Sequence, residues 1–541
     1  MNLLTTRDYV VFALYFLIIS VYGILIYRSK KAKEADTKAY FLAEGSLTWW
    51  AIGASIIASN ISAEHFIGMS GSGFAMGLAI ASYEWMAAAT LILVAVFFLP
   101  VYLRNNIYTM PQFLSMRYND TVSTLMAVFW LLVYVFVNLT SIFFLGALAI
   151  ESLTGLSFNL CVAGLAVFAV FITLGGMKVI GYTDAVQVLI LILGGLVTCY
   201  MALDIISTHF KLDGVLSALF KLRSKADDHF HMIFSPGDKF YDDLPGVAVL
   251  AGGLWINNLN YWGCNQYIIQ RALGADLKTG RNGLIFAAFL KLLIPVIVVI
   301  PGICAYVLFK EGYFQEALVG SGGHVKPDRA YPVLMSLLPS GLKGLAFAAL
   351  TAAVVASLAG KCNSISTIFT LDIYKKYINK GASERKMINV GRWATIVASL
   401  IAVVIAPALQ RFDQVYQFIQ EYVGFISPGV FAIFLLGLFW KRTTSAAALV
   451  AALSTIPLSV AMKFLPGMSG GYFGPMPFLH RMTWVFGIIM VTMVTMTLVS
   501  RPRQAGAEIV VDTKMFRVDT GFIVSSVIIL GILTGLYIAF W

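Results

Sequence analysis

The sequence predicts an all-α integral membrane protein of about 14 transmembrane helices. Three observations carry this reading. The 541 residues are 59% hydrophobic and 12% charged, with a mean hydropathy of +0.83, and the charged share is about half that of a soluble chain. Apolar runs of roughly 20 residues, enough to cross a bilayer, recur from end to end. Two of these runs are interrupted by glycines and polar side chains, which lipid-facing helices do not tolerate. An unpaired polar group in hydrocarbon costs several kcal/mol.

The candidate spans lie near residues 7–27, 47–75, 78–103, 121–150, 156–174, 184–205, 246–270, 282–308, 342–374, 390–410, 414–439, 445–463, 481–500 and 519–541. The first has neither a basic leader nor an A-x-A-type cleavage site, so it is predicted to be a helix and not a signal peptide. The span at 342–374 is long enough to continue past the lipid. Most Lys and Arg fall in alternate connections, among them the tract Arg28-Ser29-Lys30-Lys31-Ala32-Lys33. That places both termini outside and the basic loops in the cytoplasm of a cell (inner) membrane. The same asymmetry accounts for the net charge of +11 without nucleic acid. Cys161, Cys199, Cys264, Cys304 and Cys362 sit in apolar segments without CxxC spacing, as buried thiols do. No Walker-type loop, hydrolytic triad or zinc spacing occurs, so neither an ATP-driven pump nor an enzyme is expected.

The first interrupted span runs from Ser55 to Gly73 and holds Asn60, Glu64 and His65 among serines and glycines. The second, Gly252 to Tyr267, holds Asn257, Asn258, Asn260 and Asn265 beside Tyr261 and Trp262. They stand five spans apart, the spacing of an inverted five-plus-five repeat in which broken helices hold substrate and ion. The exposed carbonyls of a broken helix suit Na+, and its amides and polar side chains suit a hydroxylated or anionic solute. Close helix packing through small residues is the competing reading. Glu84 and Lys291 are intramembrane charges, either functional or paired in a structural salt bridge. Gln420 and Glu421 add polarity to another apolar run. Asp184 opens its span as a helix cap or as part of an ion path. Met69, Tyr83, Tyr261, Trp262 and Tyr416 cluster with these groups and could stack on a sugar ring.

The chain resembles the sodium/solute symporter family, close to its bacterial sodium/galactose and animal sodium/glucose transporters. The likeness rests on ASNISAEHFIGMSGSG (58–73), AIASYEWM (79–86), YWGCNQYIIQR (261–271), TIFTLDIY (367–374) and LLGLFWKR (435–442). It implies a LeuT-like fold: an extra N-terminal helix and basic loop (1–46), repeats at 47–245 and 246–443, and three peripheral helices (444–541). It implies that Glu84, Asn258, Lys291 and Gln420 bind sugar hydroxyls, with His65 and Ala87 beside them. Tyr261 would stack on the ring as an inner gate steadied by Asn60, next to Trp262. Met69, Tyr83 and Tyr416 would form the outer gate. Sodium, the coupling ion, would be held by Ala58, Ile61, Ala353 and Ser357, near Ala356, with Asp184 on its exit path. No other cofactor is implied, and a monomer in the lipid bilayer suffices.

Three departures stand out. His65 replaces the Gln of the bacterial galactose transporter, though animal glucose transporters carry His there. Ala87 replaces a serine. At the cation site Ala356 lacks the usual second hydroxyl, and Lys361 stands one turn beyond Ser357 on the same helix face. Lys361 either points into the cytoplasmic vestibule or replaces or repels sodium. The expected function is sodium-coupled uptake of a neutral, glucose- or galactose-like monosaccharide. The alternatives are symport of inositol, an amino acid or a carboxylate, a proton-coupled or sodium-independent sugar carrier, and a solute sensor or channel.

Overall fold

A computed structural model of the chain describes residues 4–29, 48–107, 109–173, 177–319, 323–412, 414–468, 476–500 and 509–541. The basic tract at 30–33 lies outside them. Among the described residues the regular elements are helices, with one isolated bridge between Val319 and Val325. Among the described residues, nine helices are long and apolar enough to cross a membrane, or ten if the bent pair Val415–Val423 and Ser427–Phe439 is one span. The protein is a multi-pass membrane protein. Helix α1 is Thr6–Ser29, and α2 is Trp49–Asn60. A π-helical turn, Glu64–Met69, runs into Ser70–Met76, together α3. The chain then turns at Gly77, whose φ of +73° suits glycine. Helix α4 begins at Ser82 and continues to Arg104. Next come α5 (Asp120–Thr154), α6 (Phe158–Thr173) and α7 (Met177–His209).

The second polar span forms α8 (Gly253–Gly263) and α9 (Gln266–Leu273), separated by Cys264 and Asn265. Helix α10 (Leu277–Lys310) follows, then α11 (Leu342–Thr367), which continues as π-helix to Ile378. The chain finishes with α12 (Glu384–Ile405), α13 (Val415–Val423), α14 (Ser427–Phe439), α15 (Ser445–Met468), α16 (Phe478–Val499) and α17 (Thr520–Ala539). All five cysteines are buried free thiols.

Helix α10 is the central pillar, packed against α2, α3, α4 and α7. Its crossings are as close as backbones allow. A Cβ on Gly53 of α2 would lie 2.6 Å from the Gly283 carbonyl oxygen, and one on Gly302 would lie 2.2 Å from that of Ser70 in α3. Pro295 and Pro301 stand inside the same helix. Two arginines fix the periphery by capping carbonyls. Arg117 donates to Gly437 O (2.9 Å), Trp440 O (3.1 Å) and Lys441 O (3.0 Å) at the end of α14. Arg281 donates to Met515 O and Arg517 O, both at 2.7 Å, tying down the segment before α17.

Because Gly302 meets backbone and not a yielding side chain, Gly302→Leu should destabilise by about 1–3 kcal/mol, the usual effect of overpacking. Gly164→Ala, with open space at its Cβ, should not lower stability. Thermal unfolding of the two purified variants in detergent checks this.

Candidate functional site

The site is built on the break between α2 and α3. Ile61 is extended at φ −75°, ψ 120°, so the carbonyls of the last turn lose their helical donors. The Ser62 N–H, which would serve Ala58 O in a continuing helix, instead donates to His65 Nδ1 at 3.3 Å. The Ser59 carbonyl accepts from the Tyr267 hydroxyl, and the Ile61 carbonyl accepts from Ser357 Oγ at 3.1 Å. The Glu64 N–H donates to Ser62 Oγ at 3.0 Å. The second break is handled in the same way. Asn265 Oδ1 accepts from the Tyr267 N–H at 3.1 Å and from the Tyr134 hydroxyl, and Tyr102 donates to Gly263 O at 2.8 Å. Tyr267 therefore joins the two breaks.

Between them lies a cavity of about 570 Å³, its mouth included. Of the residues expected to meet a solute, His65, Glu84, Asn258, Tyr261 and Gln420 line it, with Asn60, Tyr83, Trp262, Tyr416 and Lys361. Ala87, Met69 and Lys291 are buried but are not part of the wall. Lys291 stands behind it. Its ammonium donates to the Glu84 carboxylate and to Asn60 Oδ1 and sits 4.9 Å from the centre of the Trp262 ring. His65 completes this network. Its Nδ1 is an acceptor, so the proton sits on Nε2, which donates to Glu84 Oε1 at 3.3 Å. Asn60 Nδ2 donates to the Tyr261 hydroxyl at 3.1 Å. The rings of Tyr83 and Tyr416 meet edge to face at 5.6 Å, and Met69 is buried.

Five wall residues carry no role in the sequence reading: Glu64, Asn138, Asn257, Ile419 and Val423. Asn257 donates to Gln420 Oε1 at 3.0 Å, linking α8 to α13. Glu64 accepts from Ser141 at 2.9 Å. Glu64 and Asn257 both lie within the polar stretches, whereas Asn138 is one amide in an apolar run. Two atoms of wall residues, Asn258 Nδ2 and the Tyr83 hydroxyl, are buried without a hydrogen-bond partner in the protein. Each such atom costs about 1–3 kcal/mol, which a hydroxylated ligand would offset.

The cation ligands expected from sequence come together in part. Ser357 touches Ile61, and Ala58, Ala353 and Ala356 are buried near them in sequence on α2 and α11. Their donors are carbonyl and hydroxyl oxygens, which suit a hard monovalent cation. Lys361 lies inside the protein, 3% exposed. Its Nζ donates to Asn138 Oδ1 at 3.2 Å and is 4.0, 5.1 and 5.9 Å from the ring centres of Tyr267, Tyr134 and Tyr261. One expectation is corrected. Asp184 does not cap a helix, because α7 begins at Met177 and carries it two turns inside. Its side chain lies outside the described residues.

A model of the sodium:solute symporter family matches residues 40–454. The chain is 46% identical over 545 residues to the sodium/glucose cotransporter of Vibrio parahaemolyticus, covering 99% of this chain and 98% of that one. It is 34% identical to sodium/myo-inositol cotransporter 2 of Homo sapiens over 479 residues, 85% of this chain and 70% of the relative. The fold matches the solved structure of a Na+-coupled sialic acid symporter in a substrate-bound, outward-open state. That match has a TM-score of 0.76 at 21% identity and covers 92% of this chain and 99% of the other.

Breaking a buried ion pair strands a charge at a cost of about 3–5 kcal/mol. Glu84→Gln and Lys291→Met should each lower stability by that order, and the double variant should recover most of the loss. A double-mutant cycle on thermal unfolding checks this.

Proposed function

The chain belongs to the sodium:solute symporter family, and from that premise we propose that it carries a neutral glucose- or galactose-like monosaccharide into the cell together with sodium. The single observation that carries the sugar reading is the cavity wall. It sets amides, the Glu84 carboxylate paired with Lys291, and the Glu64 carboxylate with the Lys361 ammonium around aromatic rings, and it leaves Asn258 Nδ2 and the Tyr83 hydroxyl without a partner in the protein. An anionic solute would face the Glu84 carboxylate, whose charge Lys291 already balances. The 46% identical relative is named a sodium/glucose cotransporter, which supports the same choice. A polyol is the second reading, favoured by the relatives named for myo-inositol.

In this reading His65, Glu84, Asn258 and Gln420 bind hydroxyls, Tyr261 stacks on the ring, and Ala87 leaves room beside it. Lys291 acts through Glu84 and Asn60. The Tyr261–Asn60 contact, with Trp262, closes the inner side, and Met69, Tyr83 and Tyr416 close the outer. Sodium binds the carbonyls of Ala58, Ile61 and Ala353 and the Ser357 hydroxyl, with Asp184 along its exit. The fourteen-helix architecture has inverted repeats at 47–245 and 246–443, with both termini outside a cell membrane. Sodium bound at the α2–α3 break holds that break in the shape that completes the sugar site. By linkage each ligand then raises affinity for the other. The membrane potential adds about 2.3 kcal/mol per charge per 100 mV to inward movement.

The test is uptake of labelled glucose, galactose and myo-inositol into proteoliposomes under a sodium gradient, with choline replacing sodium, or with a proton gradient alone. Accumulation of a hexose only with sodium is expected, and equal uptake in all three conditions would overturn the coupling. Ser357→Ala should raise the half-saturating sodium concentration about tenfold, the equivalent of about 1.4 kcal/mol.

A further inference from the structure

Lys361 is the one cation of the described cavity wall, and the mechanism above gives it no task. Its surroundings are those of a bound cation. Three tyrosine rings and an amide oxygen face its Nζ, and ring faces and carbonyl oxygens attract positive charge. Two of the three tyrosines are tied to the α2–α3 break. Tyr267 donates to the Ser59 carbonyl, and Tyr261 accepts from Asn60. Ser357, four residues before Lys361 and on the same face of α11, donates to the Ile61 carbonyl. The ammonium is thus held one helical turn from the hydroxyl that the cation site uses.

We propose that Lys361 sets the cation affinity of this carrier: its caged ammonium repels sodium from the site at Ser357 and Ile61 and so weakens sodium binding. The inference rests on the proposed placement of sodium at that break. Two other charges are within electrostatic reach of Lys361, Glu64 and Arg271. Glu64 is held by Ser141. Arg271 donates to Ser55 Oγ at 2.9 Å and to Tyr267 O at 2.7 Å, and its guanidinium lies 5.6 Å from the same Tyr267 ring. With Lys291 and Glu84, which pair with each other at Asn60, the charges around the break are three cations to two anions, and without the Lys361 charge they balance. At an effective dielectric of about 20, unit charges roughly 8 Å apart repel enough to weaken binding tenfold or more. Ala356, which offers no hydroxyl, leaves the site without a ligand to compensate.

The experiment is sodium titration of the purified full-length protein in detergent at constant ionic strength, with choline as the replacing cation. It is read by thermal unfolding, since a bound ion raises the unfolding temperature. Lys361→Met and Lys361→Gln keep most of the length and remove the charge, and Lys361→Arg keeps the charge. The half-maximal sodium concentration should fall about tenfold in the Met and Gln variants and stay within about twofold of the unaltered protein in the Arg variant. Unchanged or raised values in both neutral variants overturn the proposal, as does an Arg variant that behaves like the neutral ones. If the unaltered protein shows no response to sodium while the neutral variants gain one, the proposal stands and sodium coupling of the natural chain fails. If none responds to sodium, the proposal fails, and uptake in proteoliposomes alone decides the coupling.

Discussion

Hydrocarbon offers a broken helix no water, so every carbonyl freed at residues 58–61 needs a partner from elsewhere in the protein. Much of the molecule follows from that demand. Tyr267 and Ser357 reach the break from α9 and α11, separated from it by 208 and 296 residues of chain. His65 takes over an amide hydrogen within α3. The break ties together helices that the sequence keeps far apart, and a ligand that satisfies its carbonyls competes with protein groups already placed there.

The same logic governs the charges. Glu84 lies between His65 and Lys291, and Lys291 also reaches Asn60 at the break. A carboxylate in this setting stays compensated while its residue lines the cavity. The ammonium behind it bonds both Glu84 and Asn60. The two lysines at the site thus differ in kind. Lys291 has a carboxylate partner, whereas Lys361 is held by ring faces and an amide.

The membrane class and the two polar spans were legible because lipid punishes unpaired polar groups. The boundary between the second and third spans, read from the apolar runs as residues 75–78, coincides with the turn at Gly77, which takes a positive φ. Helix ends were less legible. The apolar run near Asp184 reports where lipid contact begins, but α7 starts earlier, at Met177, through residues of mixed polarity. At the site, the residue types were readable and their facing was not. Asn257 and Asn258 are neighbours on α8; the family resemblance points to Asn258 alone, yet both line the cavity. Lys291 reads as an intramembrane charge, and only the crossing of α10 decides that it backs the wall. Asn138 disappears in an apolar average, and its partner Lys361 is 223 residues away.

Helix α10 is clamped twice, to α2 near Gly53 and Gly283 and to α3 near Ser70 and Gly302. Glycine crossings this tight leave no slack for sliding. If the two halves of the broken helix swing apart, α10 must flex between its clamps. Pro295 stands in that interval and lacks the amide hydrogen that would resist bending. The pillar is then a leaf spring, rigid under each half of the broken helix and compliant where the two meet.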